Sequence, residues 1–312
     1  MKSYTLMNGR IAKVDFSRVS TGKMSYTRLI NPSLEDLEKV ADLTKIPIDE
    51  LKESKEETER PKLNIGRYLE LIYSAPVTEE GDVVTVPVHI YIVNNLIVTI
   101  ETQRIYVLDK LEKKIEQRKA RFLFGRSPGF FLYYLLDNIN DHYLAIAEKI
   151  SDMLDLLQEK GTDLGNKDYE KLYSSSITSA FFNQSVLANI EVLNALKKSE
   201  YRSFESDDRH YFTELYFDAL QILDTEKIQR EMITNLFNLH SIITSSKINN
   251  FMKRITVLAL IISIPVVISS MWGMNFAHIP FYDHPYGFWI VAASMSLITV
   301  SVLVVAKVLD WI

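Results

Sequence analysis

The 312-residue chain has no cysteine. That excludes disulfides and thiolate metal sites. Glycine and proline are scarce, at 10 and 9 residues. No Ser/His/Asp array, Walker A loop or Gly-rich phosphate cradle is present, so an enzyme is not expected. Residues 1–16 have polar residues interspersed throughout and lack an apolar stretch, so no signal peptide is expected there. The net charge of -5 is mild and argues against nucleic acid as the main partner. The most informative absence is local. Residues 255–282 contain no Asp, Glu, Lys or Arg, and neither do residues 287–306.

Each uncharged run is long enough to cross a hydrocarbon core of ~30 Å as a helix, which takes about 20 residues. The connection, residues 273–286, is too short to be a domain and has no Lys or Arg. Lys253 and Arg254 precede the first run and Lys307 comes after the second. The positive-inside bias puts both outer flanks in the cytoplasm and the short loop outside. The expectation is a multi-pass protein of the cell (inner or plasma) membrane with both termini cytoplasmic.

The remainder reads as a soluble part. Residues 1–126 have an α+β pattern. Ser33 and Asp36 suggest a capping box opening a helix through Leu37 and Val40. Pro47 starts a second, short helix. Residues 68–73 look like a strand. Residues 83–93 and 96–101 look like a hairpin turning at Asn94-Asn95. Residues 78–82 form an acidic turn, and residues 110–121 a charged helix or linker with a solvated basic face. From Pro128 only helix is expected: residues 127–206 form a cytoplasmic helical region, with a core face of Leu135, Ile139, Tyr143, Ile146, Ile150, Met153 and Leu157 at 3–4 spacing. Asp207 or Asp208 is suited to N-cap the next helix.

Between that cap and Pro265 there is no Gly or Pro. A helix of roughly 60 residues, ~95 Å long, is expected to run as a stalk over residues 207–272 and become the first membrane span at about 252–272. Stepping back from Ser270 by four and three gives Val266, Ser263, Ala259, Thr256, Met252, Asn249, Ser245, Ile242 and Asn238. This is an a/d seam whose membrane part is mostly small or hydroxylated. Small residues also serve close helix packing. A pore lining is the sharper reading, and it needs several subunits, because one polar face on one helix cannot enclose a pore.

The loop opens with Trp272-Gly273-Met274-Asn275-Phe276. With this Gly-Met-Asn at the outer end of the first of two C-terminal spans, the chain resembles the CorA family of magnesium channels and transporters. The run Asn249-Asn250-Phe251-Met252-Lys253-Arg254-Ile255-Thr256 is similar to that family's Asn-x-x-Met-Lys-x-Leu-Thr. The resemblance implies an α+β cytoplasmic domain, a long stalk helix and a two-helix transmembrane hairpin (second span 287–307, tail 308–312). It also implies a funnel-shaped homopentamer, with Mg²⁺, and Co²⁺ or Ni²⁺ besides, as substrate and regulatory ligand. Gly273, Met274 and Asn275 are then the ion entrance. Asn275 meets the hydrated ion, Gly273 allows a tight turn, and Met274 packs. Asn249, Met252, Ile255, Thr256, Ala259, Ser263, Val266 and Ser270 would line the pore, with Met252 and Ile255 as its apolar neck.

Several positions depart from the family pattern. Ala277 stands where many relatives carry an acidic residue, and only Lys307 remains of a C-terminal Lys run. Asn238 stands where prokaryotic relatives place an Asp that holds a regulatory Mg²⁺, so that site is uncertain here. His278 and His284 flank the loop and would bind a transition metal only if they converged; His240 and His142 read as packed or solvated. Uptake is expected to be passive and driven by the membrane potential. The alternatives are a zinc transporter of the related branch, which typically has Ile in place of Met274, and a membrane-anchored sensor or scaffold, which would need no polar seam.

Overall fold

The structure, a computed structural model, describes residues 1–7, 9–55, 60–79, 82–161, 164–275, 278–281, 283–309 and 311. It divides into two compact units, Met1–Thr234 and Asn235–Ile312.

The first unit is built on seven strands: β1 (Lys2–Met7), β2 (Arg10–Val14), β3 (Ser25–Ile30), β4 (Lys62–Ile65), β5 (Leu69–Glu79), β6 (Asp82–Val93) and β7 (Leu96–Glu101). Their order is β2-β1-β3-β7-β6-β5-β4, antiparallel everywhere except β3 against β7. The β6–β7 hairpin turns at Asn94, whose φ of 50° is a left-handed conformation that Asn tolerates.

The three N-terminal strands were not expected, because their buried positions are polar. Ser3, Thr5, Ser25 and Thr27 are all buried. They satisfy one another across the ladder: Ser25 Oγ donates to Thr5 Oγ1 at 3.0 Å, and Thr27 Oγ1 donates to Ser3 Oγ at 3.1 Å. Paired hydroxyls remove the desolvation penalty that would otherwise bar them from a core.

Period-two alternation gives the sheet two apolar faces. Leu96, Val98 and Ile100 of β7 join Tyr91 and Val93 of β6 in a core with α1 (Leu34–Thr44) and α2 (Ile48–Glu53). Both hydrogen bonds of the capping box at Ser33 and Asp36 form. The opposite face meets α3 (Tyr106–Glu116), α4 (Pro128–Lys160) and α5 (Asn166–Leu196). Here Tyr26 packs its ring 5.0 Å from Phe131, and Tyr73 donates to Asn140 Oδ1 at 2.7 Å. On α4 the expected core face is buried, except Met153, which is half-buried.

Residues 110–121 are therefore mostly helix, and α3 does more than present a solvated face. Its Glu112 is buried and accepts from Arg28 Nη1 at 2.9 Å and from Tyr4 Oη at 2.8 Å. Arg28 also forks onto Glu101 at 2.6 and 2.8 Å. Of the acidic turn, residues 80 and 81 lie outside the described residues.

The last helices are α6 (Asp208–Trp272) and α7 (Gly287–Val308). Asp208 is the first residue of α6, and its side chain reaches back and sideways. Its carboxylate accepts from the Glu205 N–H at 2.8 Å and from Ser127 Oγ at 2.9 Å. Ser127 in turn caps α4 by accepting from the Phe130 N–H at 3.0 Å. The helix starts are fixed to each other by this one carboxylate.

Candidate functional site

The second unit consists of α6 from Asn235 to Trp272, α7 and the segment between them. The most apolar window of each helix has mean hydropathy 2.3. Among the described residues these are the two helices long and apolar enough to cross a membrane. A helix suits that setting because it satisfies its own backbone groups where no water can. Pro265 sits inside α6 and removes the N–H that would bond the Ile261 carbonyl.

Side chains of α6 fall on distinct faces. Val257 is buried, and Lys253, Ile261, Ile264, Ile268 and Trp272 on the same stripe are half-buried. On α7 the matching stripe is Gly287, Val291, Met295, Thr299, Val302 and Ala306, with Gly287 and Ala306 buried. On each helix these stripes gather the least exposed positions. At 100° per residue, the expected seam lies roughly 200° round α6 from that stripe. Asn249, Met252, Ile255, Thr256, Ala259, Ser263, Val266 and Ser270 are all exposed, as are Asn238, Ile242 and Ser245. Large apolar side chains flank the seam and are exposed too: Leu258 and Ile262 on one side, Leu260, Val267 and Met271 on the other. One chain thus presents a stripe of small and polar groups, bordered by hydrocarbon, with nothing of its own to cover it.

Thr256 adds a feature that spacing alone does not reveal. Its hydroxyl donates to the Met252 carbonyl at 2.9 Å. With its proton turned to the backbone, the oxygen keeps its lone pairs for whatever faces the seam.

Asn275 comes three residues after Trp272 and is exposed, as are Gly273 and Met274. The Gly273 N–H continues the helix pattern, donating to the Ser269 carbonyl at 2.9 Å. A Cβ at 273 would sit 3.4 Å from that oxygen, at the edge of ordinary contact. The chain turns at Gly273 without a left-handed φ, and among the described residues of the loop the left-handed conformation falls at Phe281, at φ 65°. Within this unit it is Gly287 that lacks room for a side chain, since a Cβ there would collide with the Phe281 carbonyl oxygen. Residues 276, 277 and 282 lie outside the described residues, and with them the Ala277 departure. His284 Nδ1 accepts from the Tyr286 N–H at 3.2 Å, while His278 and Asp283 are exposed. Among the described residues no group of three or more His, Asp or Glu could hold a metal ion.

The model of the family described as "CorA-like Mg2+ transporter protein" matches residues 21–307. The chain belongs to the CorA family. It is 32% identical over 305 residues to the cobalt/magnesium transport protein CorA of Methanocaldococcus jannaschii, covering 96% of this chain and 95% of that one. The CorA of Thermotoga maritima is 26% identical over 207 residues, 66% of this chain and 59% of that one. The complete structure of the M. jannaschii CorA superposes with a TM-score of 0.89 at 30% identity, covering 100% of this chain and 98% of the other. The full-length CmaX structure shares the fold at a TM-score of 0.79 and 18% identity, covering 100% and 98%. As a CorA-family protein, this chain is a membrane-embedded divalent cation transporter of the magnesium/cobalt class.

The first unit holds an electrostatic feature that one-dimensional reading missed. Asp137 and Asp141 of α4 and Glu214 and Asp218 of α6 lie near one another. Burial, then the charges of Asp141, Asp218 and Glu214, push the Asp137 carboxyl up to about 6. Burial and the neighbouring carboxylates raise Asp218 as well. These residues are far apart in sequence, so no local pattern marks them.

Proposed function

We propose that this CorA-family chain conducts Mg²⁺, with Co²⁺ or Ni²⁺ as further substrates, passively into the cytoplasm through a central pore. The pore is lined by the α6 seam of several subunits, five by family resemblance, with both termini cytoplasmic. The carrying observation is the exposure of the small and hydroxylated seam on the side of α6 opposite that helix's own buried and half-buried stripe. Hydroxyl and amide oxygens suit this ion. Mg²⁺ dehydrates reluctantly and keeps several waters, so neutral acceptors can hold its hydration shell without binding it tightly. Asn275 would form the entrance ring, and Met252 and Ile255 an apolar neck that blocks hydrated ions by dewetting. A dication gains roughly 4.6 kcal/mol per 100 mV of inside-negative potential, twice the value for one charge, so no chemical energy source is required.

The test is flux into liposomes carrying the purified protein under an imposed inside-negative potential. Wild type should take up Mg²⁺, and Asn275→Ala should abolish uptake while keeping the assembly. Light scattering should give a particle several times the 36.0 kDa chain mass. Near-normal flux in the variant would remove Asn275 from the entrance, and a monomeric particle would remove the pore.

A further inference from the structure

The first unit contains a recess that ion conduction does not use. Where the end of β5 and the start of β6 meet α3, α4 and α5, two adjoining cavities of about 690 and 580 Å³ share Thr78, His142 and Lys149 as walls. Each is of a size typical for small-molecule sites, about 300–1,000 Å³. Arg104, Lys110 and Lys149 surround the first, and Lys167 and Lys171 of α5 extend the ring around the second. None of these five side chains has an ion-pair partner among the described residues.

The carboxylates in the walls are fewer. Asp109 is already engaged by Arg28 Nη1 at 2.8 Å, which leaves Asp141 and Glu170. In a chain of net charge -5 this is a concentrated excess of positive charge. His142 registers it. Burial first, then the charges of Lys149 and Lys110, hold its imidazole below the ordinary value. Its Nδ1 is buried with no hydrogen-bond partner among the described residues. The ring packs 5.4 Å from that of Tyr106, which is 63% exposed at the cavity wall. The second cavity adds the apolar side chains of Ile146, Ile150 and Met153.

We propose that this double cavity binds a phosphorylated small anion. Arg104, Lys110 and Lys149 would clamp the phosphoryl oxygens, and Tyr106 with the apolar wall would receive an attached base. Guanidinium and ammonium groups that line one cavity from α3, α4 and the loop before α3 suit a phosphate, which accepts several charge-assisted hydrogen bonds at once. The ligand is either free phosphate or a nucleotide, and only the nucleotide would use Tyr106 and the second cavity.

Isothermal titration of the full-length protein in detergent, without divalent cations, with inorganic phosphate, AMP and ATP in turn tests this. Saturable binding is expected for at least one of them. Binding of AMP and ATP that weakens in Tyr106→Ala identifies a nucleotide site. Binding of phosphate that is indifferent to Tyr106→Ala identifies a free-phosphate site. Lys110→Gln and Lys149→Gln, exposed substitutions that the fold should accept, should each weaken binding roughly tenfold, the cost of one charge-assisted contact. Lys39→Gln on α1, far from the recess in sequence, should leave it unchanged. No saturable binding of any of the three anions, or affinities indifferent to both lysine variants, would overturn the proposal. Ion flux is a separate measurement, so either result stands apart from the pore reading.

Discussion

Replacing Arg28 by Leu should unfold the first unit more easily than any surface change, and the effect should depend on pH. The Arg28 and Glu101 side chains are 1% and 0% exposed. Leu at 28 would leave the three carboxylates in different positions. Asp109 is about a third exposed and can turn to water. Glu112 keeps Lys2 Nζ at 2.6 Å and the Tyr4 hydroxyl at 2.8 Å. Glu101 loses both short bonds and retains the Ile105 N–H at 3.2 Å. The cost therefore concentrates on one buried, unpaired carboxylate, about 3–5 kcal/mol when a buried pair is broken from one side. That is a large part of a domain's usual 5–15 kcal/mol.

Burial already raises the Glu101 pKa with Arg28 in place, so without it the folded-state value must rise further. A carboxyl raised on folding contributes stability that is present below its unfolded pKa, about 4.3, and lost as pH climbs through the folded value. The deficit of Arg28→Leu should thus be full at pH 7 and shrink towards pH 4. Arg28→Leu with Glu101→Leu should recover most of it, because the pair is then replaced rather than broken. Pulse proteolysis of the full-length protein in urea would read this as a midpoint lowered by roughly 1–5 M at pH 7, using a slope of 1–3 kcal/mol per molar. An unchanged midpoint, or a deficit of the same size at pH 4.5 and 7, would refute the assignment of the cost to Glu101.

Met252 is 53% exposed on the seam, and Met252→Ser should raise leak flux in proteoliposomes severalfold by wetting the neck; unchanged leak would move the gate elsewhere. Neutral Asn238 should hold a regulatory cation weakly, so Asn238→Asp should let Mg²⁺ protect the protein from proteolysis at lower concentration; equal protection curves would show that regulation bypasses this position. Asp137, raised to about 6, carries a carboxyl whose folded-state stability is present at acid pH and lost as pH rises through that value. Asp137→Asn should therefore stabilise the first unit at pH 8, by about 1–2 kcal/mol once solvent screening is allowed for, and change little below about pH 4, under the unfolded-state carboxyl value. A stabilisation equal at both pH values would mean that the gain is not electrostatic.

The membrane helices and the Gly273-Met274-Asn275 motif that marks the family were legible from residue order alone. A span is specified by the absence of charge over about 20 residues, a purely local property. The seam arises from helical spacing, and Gly273-Met274-Asn275 is marked by its place at the end of the first span. The capping box at Ser33 and the Asn94-Asn95 turn are short-range as well, closed by bonds three or fewer residues apart. Three-dimensional structure decided the rest. Strands β1–β3 escaped notice because Ser3, Thr5, Ser25 and Thr27 are buried by pairing with each other, a partnership set across strands. The carboxylate group around Asp137 and the basic recess at Lys149 gather residues from elements far apart in the chain. The close approach of Gly287 to Phe281 depends on how the loop folds back, which no periodicity encodes. Local charge and spacing specify elements one at a time. The desolvation of a polar group, and the field it feels, depend on neighbours that only the packed chain supplies.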